Sequence, residues 1–404
     1  MLGLPEDVLS EFADVENSQP VTVARAAPHP ADMAQLSEML SKAKRPIAIA
    51  GGPGWSARCA EHLGKIATKL QLPVATAFRN QDYFDNRHPC YAGHAGIGID
   101  GKLLARIKGA DLLIAIGARL DDMTTNGYTL LNSPEPTQQL VHVFPSGDDL
   151  GRVFRPTLAI NSSSEAFLDA LDALKLPAAD PSQRKTARAD YEATRKPLPT
   201  PGAVKLEEVV LIVNEMLPDD AILTNGAGNY SAFFHRYFEY KHFRTQLGPT
   251  CGAMGFGLPA AIGAAIAEPH RTIVALAGDG CFLMNGQELA TAKQYGLKLV
   301  VLVINNGIYG TIRMHQEKHF PGRPSGTSLT NPDFAALARS FGAHGETVTE
   351  TKDFQAAFTR ALAHDGVALI ELQTDPEAIT PKQTLTEIRS QPAPASEKPD
   401  RQKR

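Results

Sequence analysis

Short apolar runs, unbroken by polar residues and bounded by glycines, recur along this chain and set its reading. Thr272–Ala277 (TIVALA) and Leu299–Ile304 (LVVLVI) are the clearest pair. Runs this short and apolar at every position suit strands buried on both faces, which belong to parallel sheets. The segment between them, Asn285–Tyr295 (NGQELATAKQY), predicts the helix of a strand–helix–strand crossover. Ahead of this pair the pattern predicts a helix at Leu206–Met216, a strand at Ala221–Thr224 and helices at Tyr230–Tyr237 and Ala253–Ala267. After it, Phe334–Phe341, Phe354–His364 and Val367–Leu372 complete the wind.

A similar alternation fills the first half. Helices are predicted at Ala31–Ala43, Ala57–Leu70, Leu103–Lys108 and Glu165–Leu174. Strands are predicted at Pro46–Ala50, Val74–Ala77, Asp111–Ile116 and Gln139–Phe144. The fold class is therefore α/β, with two doubly wound parallel-sheet domains: a central one over 31–174 and a second over 203–374. Residues 175–202 read as a linker with a helical piece at Ser182–Arg195. Leu2–Val8 reads as the end of a buried strand, so 1–30 is taken as a remnant and connector. Residues 375–404 form a tail, and the Pro, Ser and charge of its last dozen residues predict disorder.

Composition narrows the function classes. Of 404 residues, 43% are hydrophobic and 21% charged, with a net charge of −4. That describes a soluble globular protein with no basic field for nucleic acid. No apolar stretch approaches the roughly 18 residues that span a bilayer, and the N-terminus lacks the basic and apolar regions of a signal peptide. No membrane association and a cytoplasmic location are expected. The four cysteines (Cys59, Cys90, Cys251, Cys281) form no CxxC pair, which suits free, buried thiols rather than a zinc site.

Chemistry concentrates at the strand ends. Gly278-Asp279-Gly280 follows the first apolar run, and Asn305-Asn306 follows the second, 24 residues further on. Open α/β sheets bind ligands at the C-terminal ends of their strands. Asp and Asn oxygens are hard donors suited to Mg²⁺, and glycines beside a helix start let backbone N–H groups approach a phosphate. A lone Gly-Asp-Gly would equally fit a turn with Asp279 capping a helix. The fixed distance to the double Asn and to Tyr309-Gly310 favours the ligand site.

These residues resemble the signature of the thiamine-diphosphate-dependent enzymes, and most nearly the acetolactate synthase large-subunit group. The block Gly252–Gly263 (GAMGFGLPAAIG) is similar to that family too. The resemblance implies thiamine diphosphate bridged to the protein by Mg²⁺, with Asp279, the Asn306 side chain and the Ile308 backbone carbonyl as metal ligands. Gly278, Gly280 and Cys281 would face the phosphates, as would Gly228, Asn229 and Tyr230 of the loop after Thr224. Gly252 and Met254 would face the thiamine rings, Met254 as the bulky residue that holds their V shape, although a core methionine fits that position as well. Tyr309 and Gly310 complete the cofactor set. The implied reaction is decarboxylation of a 2-ketoacid followed by carboligation.

Departures from the family pattern limit what the resemblance implies. Where it places an arginine and an acidic residue for flavin, this chain has Met123 and Phe144, so the pattern disfavours FAD. Gly93-His94-Ala95-Gly96 echoes a family loop, with a packed loop histidine as the alternative. His315 stands where the synthases carry a tryptophan beside the second ketoacid; a substrate-site histidine and an exposed loop histidine both fit. The family's N-terminal domain supplies the glutamate that activates the cofactor, and nothing in Met1–Pro30 matches it. No catalytic residue of that kind is therefore assigned in this chain, and independent activity is not expected. A homo-oligomer, or a complex with a separate subunit carrying the pyrimidine-binding domain, follows; the alternative is an inactive truncated product. A nicotinamide oxidoreductase using the Gly51-Gly52-Pro53-Gly54 turn is a weaker alternative, because a full GxGxxG and a ribose-binding acid are missing.

Overall fold

The computed structural model describes residues 3–176 and 180–392, and two six-stranded sheets organise it. The first holds β1 (Pro46–Ala50), β2 (Val74–Thr76), β3 (Tyr91–His94), β4 (Leu112–Ile116), β5 (Gln139–Phe144) and β6 (Leu158–Asn161). The second holds β7 (Ile222–Asn225), β8 (Gln246–Leu247), β9 (Ile273–Gly278), β10 (Leu299–Asn305), β11 (His344–Val348) and β12 (Val367–Gln373). Their spatial orders are β3-β2-β1-β4-β5-β6 and β11-β12-β10-β9-β7-β8. Every pairing within them is parallel, as two doubly wound α/β domains require.

The apolar runs occupy the sheet centres. Leu299–Ile304 of β10 is buried along its whole length between β9 and β12. Its register pairs Ile304 with Gly278, so Asp279 and Asn305 leave the sheet at the same level. The four strands that the hydrophobic pattern does not predict, β3, β6, β8 and β11, are the four outer strands. An outer strand is covered less fully and can be short or polar, as His344–Val348 (HGETV) is, so it carries no continuous apolar run.

Other expectations need correction. The predicted helix at Ala253–Ala267 begins only at Gly257, because Gly255 (φ 81°) turns the chain ahead of it. The predicted Asn285–Tyr295 helix is a 3₁₀ turn at Gly286–Glu288 running into Leu289–Gln294. Leu2 lies outside the described residues, and Glu6–Leu9 is a single helical turn with no buried residue rather than a strand end. The linker is not a free connector: its helix Ser182–Thr194 buries Tyr191, and Arg106 pairs with Asp190 at 2.7 Å. Cys251 is exposed, while the other three cysteines are buried.

The tail is ordered well past Asp375. Helix Leu385–Arg389 starts with a capping box between Thr384 and Glu387, and Leu385, Ile388 and Ile379 bury against Ile308 and Met314. The disorder predicted for the last dozen residues falls on 393–404, outside the described residues.

A segment after β2 joins the two sheets. The Gln81 backbone N–H donates to Gln246 Oε1 at 2.8 Å, and its Nε2 donates to the His235 carbonyl at 2.9 Å. Asp82 Oδ2 accepts the backbone N–H groups of Thr245 and Gln246 at 3.0 and 3.3 Å, at edge strand β8. Asn86 and Tyr240 bond each other in both directions. Asp82 is buried, no salt bridge reaches it among the described residues, and burial pushes its carboxyl up to about 7.

Candidate functional site

Strand β7 lies between β8 and β9, so the chain leaves it on one side and returns on the other. The loops after β7 and β9 diverge at this switch point and open a crevice above the strand ends. A cavity of about 240 Å³ lies there. Its walls come from the loop after β7, from the short helix Asp279–Phe282 after β9 and from the Asn306–Gly310 segment after β10. Every cofactor-site residue predicted from the sequence, from Gly228 through Gly310, lines it.

Oxygens converge on one side. Asp279 is 3% exposed. Its Oδ1 accepts the Gly280 N–H (2.8 Å), while Oδ2 accepts the Gly307 N–H and the Asn331 side-chain amide, both at 2.8 Å. Burial raises the Asp279 pKa above the usual carboxylate value, against the lowering effect of these donors and of the Asn306 N–H. Asn306 Oδ1 accepts one long bond from the Ile308 N–H (3.2 Å). Among the described residues no hydrogen bond reaches the Ile308 carbonyl: the ladder that pairs Ile308 with Ser328 runs through Gly307 O and Tyr309 N. One carboxylate, one carboxamide oxygen and one free carbonyl make a hard, sparse donor set. Mg²⁺ accepts such a set, because it takes its remaining ligands from water and phosphate. No group of three or more His, Cys, Asp or Glu side chains able to hold a metal occurs among the described residues, so softer metals have no comparable site.

The walls are braced from behind. The Tyr230 hydroxyl accepts the Gly226 N–H at 3.0 Å and donates to the Leu276 carbonyl at 3.2 Å, which ties the loop after β7 to β9. Asn229 Oδ1 accepts the Thr311 hydroxyl at 2.8 Å, which ties the same loop to helix Gly310–His319. The Gly255 N–H donates to Cys281 Sγ at 3.1 Å, holding the turn that presents Met254 at the cavity wall. A Cβ on Gly280 would sit 2.5 Å from the Tyr309 ring, so a side chain there would displace that ring from the wall.

Comparisons with known proteins agree with this geometry. Residues 226–372 match the family model described as the C-terminal TPP-binding domain of thiamine pyrophosphate enzymes, and residues 33–171 match the central domain of the same enzymes. The large subunit of acetolactate synthase isozyme 2 of Escherichia coli (strain K12) is 30% identical over 380 residues, covering 93% of this chain and 68% of the relative. The chain belongs to the thiamine pyrophosphate enzyme family. The acetolactate synthase large subunit of Parasynechococcus marenigrum is 32% identical, over 92% of this chain and 62% of the relative. That of Cyanidium caldarium is 28% identical, over 92% and 65%. This thiamine pyrophosphate enzyme chain thus spans about two thirds of the length of these relatives.

In the family's central domain the corresponding switch point, between β1 and β4, is closed by backbone. A Cβ on Gly52 (φ 78°) would fall on the Gly117 carbonyl, and Trp55 Nε1 donates to the Gly51 carbonyl at 2.8 Å. Gly51 and Gly52 of this turn therefore pack against the Gly117–Ala118 backbone. Phe144 is buried at the end of β5 with the Arg119 guanidinium 5.7 Å above its ring. His94 packs 5.8 Å from the His235 ring, and desolvation lowers its pKa to about 4.

The structure does not bring His315 to the cavity. It is exposed, its ring stacks on His319 with centroids 6.4 Å apart, and desolvation with Lys318 and His319 nearby lowers its pKa. Sequence reasoning missed Asn331, which bridges Asp279 and Asn305, and Ala378 and Ile379, which reach the wall from the tail. A single Asn ahead of a proline gives no pattern that could have marked the first. The Thr384-x-x-Glu387 capping signature could have marked the ordered tail.

Proposed function

We propose that this chain binds thiamine diphosphate through Mg²⁺ and takes part in 2-ketoacid decarboxylation and carboligation, in the cytoplasm. The observation that carries the reading is the Asp279 carboxylate and the undonated Ile308 carbonyl opening onto one cavity at the β7/β9 switch point. Asp279, the Asn306 side chain and the Ile308 carbonyl would hold the metal. Gly278, the Gly280 and Cys281 backbone and the loop Gly228–Tyr230 would take the diphosphate, with Tyr309 and Gly310 closing the far wall. Gly252 and Met254 would set the ring conformation. The cofactor supplies the electron sink for loss of the carboxylate. The protein's part is to neutralise the diphosphate, orient the rings and keep water out.

The reading fails if Asp279→Ala leaves Mg²⁺-dependent thiamine diphosphate binding undiminished in calorimetry, since the change removes the carboxylate facing a dication and two phosphates. The substrate class follows from what the synthase relatives are named for, and pyruvate is the first compound to test.

A second surface completes the site in this reading. Phe256, Leu283, Met284 and Ile312 are exposed at 38%, 43%, 46% and 51%. Phe256 adjoins the Met254 turn, Leu283 and Met284 follow the Asp279 helix, and Ile312 is itself part of the wall. Exposed large apolar side chains around a site mark an interaction face. We assign it to another copy of the chain or to a separate subunit that carries the pyrimidine-facing residues. Pyruvate turnover by a monomeric form of this chain alone at rates typical of enzymes, about 1 s⁻¹ or more, would refute that assignment. Turnover that appears only with an added pyrimidine-domain protein would support it.

A further inference from the structure

Arg79 is 7% exposed, yet it lies in the first domain's connector, outside the cavity wall, and no carboxylate pairs with it among the described residues. Its backbone is left-handed (φ 57°), a conformation that a non-glycine residue keeps only when its surroundings enforce it. The guanidinium lies 4.8 Å from the Phe78 ring centre. Nη1 donates to the Pro249 carbonyl, Nη2 donates to the Gly226 carbonyl at 3.2 Å, and among the described residues Nε has no partner. A buried cation held by neutral carbonyls and a ring face, with no anion, is costly unless something else uses its charge.

Both of those carbonyls belong to the site's own loops. Gly226 opens the loop after β7, and Pro249 precedes the Gly252–Met254 turn. Within one trans peptide the Gly226 C=O and the Ala227 N–H point in opposite directions. Ala227 and Gly228 line the cavity. The Gly226 carbonyl also accepts Asn225 Nδ2 at 2.7 Å, so it is gripped from two sides.

Resting on the cofactor assignment above, we propose that Arg79 is a positioning residue for the diphosphate loop. Reaching across from the first domain, it fixes the Gly226–Ala227 peptide so that the Ala227 N–H faces the anion, and it polarises that N–H by binding the carbonyl behind it. Docking of the two domains and affinity for the diphosphate are thereby coupled through one side chain.

The test compares Arg79→Met and Arg79→Lys with Gln81→Ala, which removes a neighbouring inter-domain bond, to the His235 carbonyl, without touching the loop. Calorimetry with Mg²⁺ and thiamine diphosphate, and with Mg²⁺ and inorganic pyrophosphate, gives the affinities; thermal unfolding gives the stability change for each variant. The expected result is at least a tenfold loss of affinity for both ligands in Arg79→Met, a smaller loss in Arg79→Lys, and less than a twofold loss in Gln81→Ala. Equal losses in Arg79→Met and Gln81→Ala would reduce Arg79 to a structural contact and overturn the proposal, as would unchanged affinity in Arg79→Met. Should Arg79→Met not fold, Arg79→Lys decides: an affinity within twofold of the parent overturns the proposal. Absence of binding by the parent chain would instead refute the cofactor assignment, and the role of Arg79 with it.

Discussion

Asn331 gives one side-chain N–H to Asp279 Oδ2 and the other to Asn305 Oδ1, both at 2.8 Å. It thereby connects the carboxylate after β9 to the residue that ends β10, and Asn305 in turn donates to Glu371 of β12 at 2.7 Å. The orientation of the Asp279 carboxylate is therefore set by three neighbouring strands. Asn331→Ala removes one of the hydrogen-bond donors to the Asp279 carboxylate, and a hydrogen bond to a charged group is worth about 1.5–3 kcal/mol. We expect roughly tenfold weaker Mg²⁺-dependent thiamine diphosphate binding, since about 1.4 kcal/mol is a factor of ten. Unchanged affinity in a titration of the folded variant would show that the amide does not orient the carboxylate.

Asp82 predicts a pH dependence of stability. Its folded pKa of about 7 lies above the ordinary carboxylate value of 3.8, so the fold holds a proton that the unfolded chain releases over that interval. The contribution is fully present below the unfolded value and is lost as pH rises through about 7, with a slope near 1.4 kcal/mol per pH unit at most. Asp82→Asn keeps an oxygen for the Thr245 and Gln246 N–H groups and cannot ionise. Denaturant unfolding of the parent should weaken from pH 5 to pH 8 relative to the variant. Parallel curves would sink the assignment.

Glu317 has a fully buried side chain that accepts Arg389 Nε and Nη2 at 2.9 and 3.0 Å, Arg313 Nε at 3.0 Å and the Gly322 N–H at 2.8 Å. The Arg389 hydrogen bonds lead in holding its pKa down at about 2. This carboxylate stabilises the fold above its ordinary unfolded value, and the stabilisation is lost as pH falls through about 2. Arg389 is partly in water, so Arg389→Ala should cost about 1–2 kcal/mol, less than the loss of a fully buried pair. Because the pair pins helix Leu385–Arg389 over the site helix, faster amide exchange confined to residues 379–391 is the expected signature.

The central domain predicts a colourless protein. Phe144 occupies the end of β5 where the family pattern has an acidic residue, and a phenyl ring cannot accept a ribose hydroxyl. Protein purified from flavin-replete cells should show no visible absorption band. A yellow preparation that releases flavin on denaturation would refute this reading.

What the sequence determined by itself was the inside of each sheet and the chemistry at its strand ends. A central parallel strand must be apolar at every position, so LVVLVI at 299–304 can be read without any partner in view, as can the Gly-Asp-Gly and Asn-Asn that follow such runs. Tertiary structure alone decided the outer strands, because HGETV at 344–348 becomes a strand only by pairing with β12. It also decided the second layer of the site. Asn331 and Arg79 act through contacts with residues 52 and 147 positions away in the chain, and a lone polar side chain leaves no periodic trace of such a partner. The tail shows the same limit: its composition carries no sign that Leu385 and Ile388 bury against Ile308 and Met314, a contact that only the tertiary structure supplies.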